Sequence, residues 1–113
     1  MPGLLDGNKA AMSKTSARRK VTVVNPAGLH ARPSLAVVQT VRRFKSKVEV
    51  RAKRQTVDAG QIIELLSLGA AHGADLLLTA KGPDAAEVLD ALARQFADGF
   101  GLLAESEELK AES

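Results

Sequence analysis

Apolar, β-branched and alternating stretches of the sequence predict four short strands. Residues 21–24 are mainly β-branched, which favours an extended backbone. Residues 47–52 alternate charged and apolar side chains, which is the pattern of a strand with one buried face. Residues 55–58, which follow a basic turn, and residues 76–80 predict two further strands.

Apolar residues at helical spacing predict three helices. The first begins close to His30 and ends before Phe44, and its apolar positions are Ala31, Leu35, Val38 and Val41. Pro33 is compatible with its first turn, where a backbone N–H has no helix carbonyl to bond. A short helix is predicted from Gln61 to near Gly69. The last opens at residues 82–84, and its apolar positions are Ala85, Val88, Leu89, Leu92 and Phe96.

The predicted elements follow one another in the order β-α-β-β-α-β-α. Because the helices need a sheet on which to bury their apolar faces, this order predicts an α+β domain. A four-stranded antiparallel sheet would be covered on one face by three helices. We expect this domain to span residues 21–101, after a flexible basic extension at 1–20 and before an acidic C-terminal tail at 102–113.

The composition excludes several kinds of site. The chain of 113 residues has no cysteine, so disulfides, thiolate metal sites and a cysteine nucleophile are absent. His30 and His72 are too few for a histidine metal cage, and we expect neither a metal nor a cofactor. His72, beside Gly73, is interpreted as a surface turn residue. No apolar run approaches the roughly 20 residues that cross a bilayer, so we expect a soluble, cytoplasmic monomer without membrane insertion.

Basic residues are concentrated in one part of the chain. The net charge is +3, and residues 42–54 contain seven basic side chains against Glu49. This basic cluster fits either a solvated face or a surface that meets an acidic partner protein. With three Phe, no Tyr or Trp and no recognisable nucleic-acid motif, a nucleic-acid interface is a poorer interpretation, and we expect no nucleic-acid partner.

The candidate chemistry lies in residues 28–33, GLHARP. A histidine just before a helix faces the N–H groups of the first turn and the positive end of the helix dipole, which favour an anion. A phosphoryl group on the His30 ring would meet the N–H groups of Ala31 and Arg32, and the Arg32 guanidinium would add a charge-assisted contact. Gly28 allows a sharp turn that leaves the ring uncrowded. Taken alone, such a histidine is more often a plain helix-terminus residue.

The wider sequence favours the chemical interpretation. GLHARP resembles the active-site motif of HPr, the histidine-containing phosphocarrier family of the bacterial phosphotransferase system. Residues 56–92 are similar to the second half of that family, so the resemblance covers about residues 21–101. It implies an open-faced β-sandwich and a phosphoryl carrier rather than an enzyme. Such a carrier accepts a phosphoryl group from phosphoenolpyruvate through enzyme I and passes it to EIIA-type proteins.

The resemblance also implies roles for individual residues. His30 would be phosphorylated on ring Nδ1, Arg32 would steer the phosphoryl group, and Pro33 would shape the helix start. Partners would dock on a face of the first two helices formed by Leu29, Leu35, Val38, Gln39, Arg42, Ile62, Ile63 and Leu66. At helical spacing, at least one of the last three must instead belong to the core.

Two positions depart from the family pattern. In many members the second helix begins with a regulatory serine, and the matching residue here is Gln61, which has no hydroxyl to phosphorylate. Ser46 and Ser67 do not occupy that position. Glu64 places an acidic side chain on a face expected to meet acidic partners, so it would weaken docking or select a different partner.

A regulatory binding module is the main alternative to a relay. The same fold would then control a transporter, kinase or transcription factor without onward phosphoryl transfer. The missing serine and the long basic extension leave room for this function. Stoichiometric binding without transfer would distinguish it from a carrier.

Overall fold

The computed structural model of the chain describes residues 16–102. The strands are β1 (Ser16–Thr22), β2 (Lys47–Ala52), β3 (Gln55–Asp58) and β4 (Asp75–Lys81). The helices are α1 (Ala31–Arg42), α2 (Ile62–Leu68) and α3 (Ala85–Ala97), followed by a 3-10 turn at Gly99–Gly101. Most of the predicted basic extension and all but the first residue of the predicted acidic tail lie outside the described residues.

The strands form one antiparallel sheet in the order β1-β4-β2-β3. In the centre of the sheet, Val50 lies opposite Leu78 on β4 and Val57 on β3. Alternate residues of β2 and β4 are buried, and the residues between them are largely exposed. The three helices therefore cover one face and leave the other open, which confirms the predicted α+β open-faced sandwich.

The core between sheet and helices is almost entirely aliphatic. Helix α3 buries Val88, Leu89, Leu92 and Phe96, the stripe predicted from its spacing. Each such side chain contributes about 1.5–3 kcal/mol when it is removed from water. The Phe96 ring meets the edge of Phe100 at a centroid distance of 4.8 Å, which joins the 3-10 turn to the core.

Strand β1 begins earlier than predicted. The prediction placed a strand at 21–24 and a flexible extension up to residue 20, but Ser16–Thr22 pair continuously with β4, from Ser16 opposite Lys81 to Thr22 opposite Asp75. The Arg19 guanidinium also forms a 2.8 Å ion pair with Asp90 of α3. Residues 16–20 therefore belong to the sheet. Their largely polar side chains form no strand pattern in the sequence, because this edge strand is held by backbone pairing with β4.

The start of α3 is tied to the turn before β2. The Asp84 carboxylate accepts hydrogen bonds from the Ser46 hydroxyl and from the Lys45 backbone N–H, the latter at 2.8 Å. Gly82 approaches this turn so closely that an added Cβ would lie 2.5 Å from the Ser46 Cα. The Ser46 hydrogen bond, followed by the Lys45 N–H, lowers the pKa of Asp84 below its ordinary value of 3.8.

We expect Asp84→Asn to destabilise the fold in a pH-dependent way. A carboxyl group whose folded-state pKa is lowered stabilises the fold above its unfolded pKa, and this stabilisation is lost as pH falls through the folded-state pKa. The variant should therefore be less stable than the parent at about pH 6, and the difference should shrink as the pH falls below the ordinary value of 3.8. Urea unfolding of the parent and the variant, at about pH 6 and at a pH below 3.8, measures this difference. A difference that stays constant with pH would contradict the assignment.

Candidate functional site

The loop between β1 and α1 is fixed against residues 70–74. The Val23 N–H donates to the Ala74 carbonyl at 2.9 Å, and the Gly73 N–H donates to the Val23 carbonyl at 2.7 Å. At the other end of the loop, the Leu29 N–H donates to the Ala70 carbonyl at 2.8 Å. The residue before His30 is thus held by the backbone of a segment far away in sequence.

Gly28 permits this close approach. Its φ is +75°, and an added Cβ would lie 2.6 Å from the Ala70 carbonyl oxygen. The Gly28 N–H also donates to the Asn25 carbonyl at 2.9 Å, which closes the turn. Both the backbone conformation and the available space therefore require glycine here.

His30 is the N-cap residue of α1, and the residue is partly exposed. Its backbone carbonyl accepts the Ser34 N–H at 3.0 Å, and the Ser34 hydroxyl donates to the Leu29 carbonyl at 3.0 Å. The imidazole makes no capping hydrogen bond to the helix. The backbone at this position is therefore fixed while the ring has no capping role.

The first turn of α1 presents a positive electrostatic end beside His30. It contains no acidic residue, and Ala31 and Arg32 are both exposed. Pro33 is fully buried and has no N–H, so it anchors the turn in the core. A helix of 12 residues directs its dipole toward this region, where an anion would be stabilised.

Five of the eight predicted docking residues are exposed, and two are not surface residues. Leu29 and Val38 are 4% and 6% exposed and pack in the core, so their predicted docking role is wrong. Val38 is buried together with Val37 and Val41 on one face of α1, and Leu29 is the anchor of the loop. Ile62 is half-buried and packs against the core. The exposed residues are Leu35, Gln39, Arg42, Ile63 and Leu66.

An exposed apolar surface remains on α1 and α2, which pack side by side. Leu35, Ile63 and Leu66 are 48%, 74% and 39% exposed. We call these three residues the apolar surface. Large aliphatic side chains this exposed are typical of a protein interface when they cluster.

Polar bonds fix the start of α2 beside this surface. An Arg42 guanidinium nitrogen donates to the Gly60 carbonyl at 3.1 Å. The Glu64 carboxylate accepts the Asp58 N–H at 2.9 Å, an internal contact that the sequence did not reveal. Gln61, at the position matched to the regulatory serine, is the exposed N-cap of α2 and makes no side-chain capping bond.

The sequence of the described domain matches a known family along nearly all of its length. The family described as the PTS HPr component phosphorylation site matches residues 17–98. The chain belongs to the HPr phosphocarrier family. The HPr match begins within β1, in agreement with the earlier start of that strand in the structure.

Relatives of the HPr family resemble the chain in sequence and in fold. Phosphocarrier protein HPr of Cupriavidus necator is 37% identical over 84 residues, which cover 74% of this chain and 94% of the relative. A crystal structure of HPr from Thermoanaerobacter tengcongensis matches with a TM-score of 0.73 and 34% identity, covering 75% of this chain and 96% of the other. The multiphosphoryl transfer protein of Xanthomonas campestris is 37% identical over 87 residues, which cover 77% of this chain but 10% of that longer protein.

Sequence reasoning missed one buried polar residue of this HPr domain. Asn25 is 2% exposed, and its side-chain amide donates to the Gly99 carbonyl at 2.8 Å, which joins the site loop to the 3-10 turn. The Asn25 Oδ1 atom has no hydrogen-bond partner among the described residues. An asparagine before a proline indicates a turn in the sequence, and nothing there indicates a contact with Gly99.

Other kinds of site find no support within residues 16–102. No group of three or more His, Asp or Glu side chains in this range is arranged to hold a metal ion. None of the helices in the range is long and apolar enough to cross a membrane. His72 is exposed in the turn before Gly73, as predicted.

We expect Gly28→Ala to be much more destabilising than Gly69→Ala. Both glycines have positive φ, so both variants lose about 1 kcal/mol to backbone strain. Gly69 has no atom within 4 Å of an added Cβ, whereas at Gly28 the Cβ would overlap the Ala70 carbonyl. Urea unfolding should show an additional loss of about 1–3 kcal/mol for Gly28→Ala. Equal losses would contradict the close approach.

Proposed function

We propose that His30 accepts a phosphoryl group from an enzyme I-type donor and passes it to EIIA-type acceptors. The observation that carries this proposal is the position of His30, which is partly exposed at the positive end of α1 without a capping role. Membership of a family described by its phosphorylation site supports it. Leu29 and Ser34 hold the backbone on either side, so the ring would meet each partner in the same position.

The transfer would proceed through a phosphohistidine. Ring Nδ1 attacks the phosphorus while Nε2 keeps the ring proton, a P–N bond forms, and the donor keeps the electron pair of its broken bond to phosphorus. The negative oxygens then lie at the first turn of α1, where the helix dipole and the Arg32 guanidinium stabilise them. The same steps run in reverse toward the acceptor, and no metal or cofactor on this chain is required.

Phosphorylation of the full chain with phosphoenolpyruvate, magnesium and purified enzyme I tests the proposal. Intact-mass analysis should detect one acid-labile phosphoryl group on the parent protein. His30→Gln should abolish it, and the matched variant His72→Gln should be phosphorylated like the parent. Circular dichroism of both variants controls for folding. A folded His30→Gln protein that still accepts one phosphoryl group would refute His30 as the carrier.

The apolar surface would be the docking site for enzyme I. Leu35, Ile63 and Leu66 expose aliphatic side chains on the two helices next to His30. Arg42 borders them, although one of its nitrogens also bonds Gly60. The Glu64 carboxylate is held in place by the Asp58 N–H, which does not remove its negative charge, so it would disfavour an acidic group of the partner at that point of the interface.

We expect Ile63→Ser to weaken docking without destabilising the fold. Ile63 is 74% exposed, so the free energy of unfolding should change by no more than about 0.5 kcal/mol. Loss of its apolar contact should raise KM for enzyme I-dependent phosphorylation about ten-fold, while kcat changes little. Ala86→Ser, on the exposed side of α3, is the control. An unchanged KM for Ile63→Ser would remove Ile63 from the interface.

Gln61 supports a carrier without serine-based control. The residue is the exposed N-cap of α2 and has no hydroxyl for a kinase. This absence also fits the alternative of a regulatory binding module, whose partner would be selected by contacts at α2 rather than by serine phosphorylation. Binding of an EIIA-type protein without loss of the phosphoryl group from His30 would favour that alternative.

A further inference from the structure

A basic surface lies on the side of the sheet that no helix covers. Residues of β1, β2 and β4 that alternate with the buried core positions face outward there. Five of them are cationic, namely Arg18, Lys20, Lys47, Arg51 and Lys81. The predicted basic cluster at 42–54 is therefore divided by the fold, because Arg42 and Arg43 end α1 while Lys47 and Arg51 lie on the open face.

The register places these cations next to one another. Lys47 lies directly opposite Lys81, and Lys20 and Arg51 flank Leu77 on neighbouring strands. Like charges in adjacent cross-strand positions destabilise a sheet. Between residues 16 and 102 none of the five forms an ion pair, since the pair found in that range joins Arg19 to Asp90. The arrangement is therefore unfavourable within the chain and suited to an external anion.

The acidic side chains of this face do not neutralise it. Asp75 accepts the Thr22 hydroxyl at 2.8 Å, and Asp58 accepts the Gly60 N–H at 2.8 Å. Glu49 lies on β2 and faces Thr79 across the strands. Hydrogen bonds from neutral donors leave the charge of a carboxylate in place, so the face stays positive because its five cations outnumber Glu49, Asp58 and Asp75.

Three cations converge on one groove of this face. A cavity of about 440 Å³ is lined by Lys20, Arg51 and Lys53 and by one acidic residue, Asp75, together with Thr22, Leu76 and Leu77. Lys53, in the turn between β2 and β3, has a φ of +54°. A non-glycine residue in this conformation costs about 1–2 kcal/mol, and glycine or asparagine would be the favourable choice. The two-residue hairpin turn accounts for the positive φ, and a lysine rather than a glycine at this position adds a cation at the rim of the groove.

We propose that this groove binds an acidic segment of a partner protein. Its three cations match separate carboxylates, and half-buried Leu77 offers an apolar contact between them. Nucleic acid or an anionic bilayer would bring a continuous array of phosphates against Glu49 and Asp75, whereas a protein segment can space its carboxylates around them. All three Phe residues pack in or against the core, so none is available on this face to stack on bases. Docking here leaves the helical side, and His30, accessible.

Titration of the full chain with a synthetic acidic peptide tests the proposal. The probe alternates glutamate with serine around one central leucine, and the same peptide with glutamine in place of glutamate is its control. Amide NMR signals around Leu77 and Arg51 should shift and saturate with the acidic peptide only. Arg51→Ser should weaken binding about ten-fold. Arg94→Ser, which removes an exposed cation of α3, should not change the affinity.

Lys53→Gly separates binding from stability. Glycine relieves the positive φ, so the variant should unfold at the same or higher urea concentration while it binds the peptide about ten-fold more weakly. A structural role for Lys53 would instead make the variant less stable. Unchanged peptide affinity in both Arg51→Ser and Lys53→Gly would overturn the proposal.

Three other outcomes would show that the acidic segment of a partner protein is not the occupant of the groove. Shifts confined to α1 and α2 would show that acidic segments bind the helical side instead. Vesicles of phosphatidylglycerol and phosphatidylcholine, or a DNA duplex, could displace the acidic peptide and bind more tightly than the peptide does. That result would identify a phosphate surface as the occupant. A gain in peptide affinity on joint Glu107→Gln and Glu108→Gln substitution would show that the chain's own acidic tail competes with the peptide for the groove. The tail would then be the occupant. Each result would overturn the assignment to a partner protein.

Discussion

The hydrogen bond from the Leu29 N–H to the Ala70 carbonyl is the contact on which the site depends. It forms because Gly28 has no Cβ, since any other residue would overlap the Ala70 carbonyl. Leu29 is buried, so its side chain anchors the loop in the core while the next residue emerges at the surface. The sheet positions the segment at residue 70, that segment positions Leu29, and Leu29 positions His30. The proposed relay would depend on such support, because two partners would have to find the ring in one place.

The two sides of the molecule differ because the sheet is covered on one face only. On the helical side, α1 and α2 bury their inner residues and leave Leu35, Ile63 and Leu66 exposed. On the open side, the alternation of β1, β2 and β4 directs cations to solvent. A single layer of strands thus supplies the core of one side and a charged surface on the other. Partners of different chemistry can therefore approach without competing.

Periodicity determined what could be predicted from sequence. The three helices and strand β2 were predicted well, because their apolar residues recur at helical or alternating spacing, and β3 and β4 were also found close to their predicted bounds. The start of β1 was missed because residues 16–20 are held by pairing with β4, which leaves no local pattern. Val38 was assigned to the surface because spacing alone does not show which side of a helix faces the sheet, and Leu29 because the sequence does not show that its loop packs against Ala70. The Asn25 contact reaches Gly99, far away in sequence, and the Glu64 contact reaches back across the turn between β3 and α2, so no motif could reveal either.

The central claim is that His30 holds a phosphoryl group that can be transferred onward. The most direct measurement isolates the phosphorylated chain, removes enzyme I and phosphoenolpyruvate, and adds a purified EIIA-type acceptor while intact masses are followed over time. Our account predicts that the chain loses its phosphoryl group as the acceptor gains one in equal amount. A chain that binds the acceptor yet remains phosphorylated until it hydrolyses, with the acceptor unmodified, would contradict a relay.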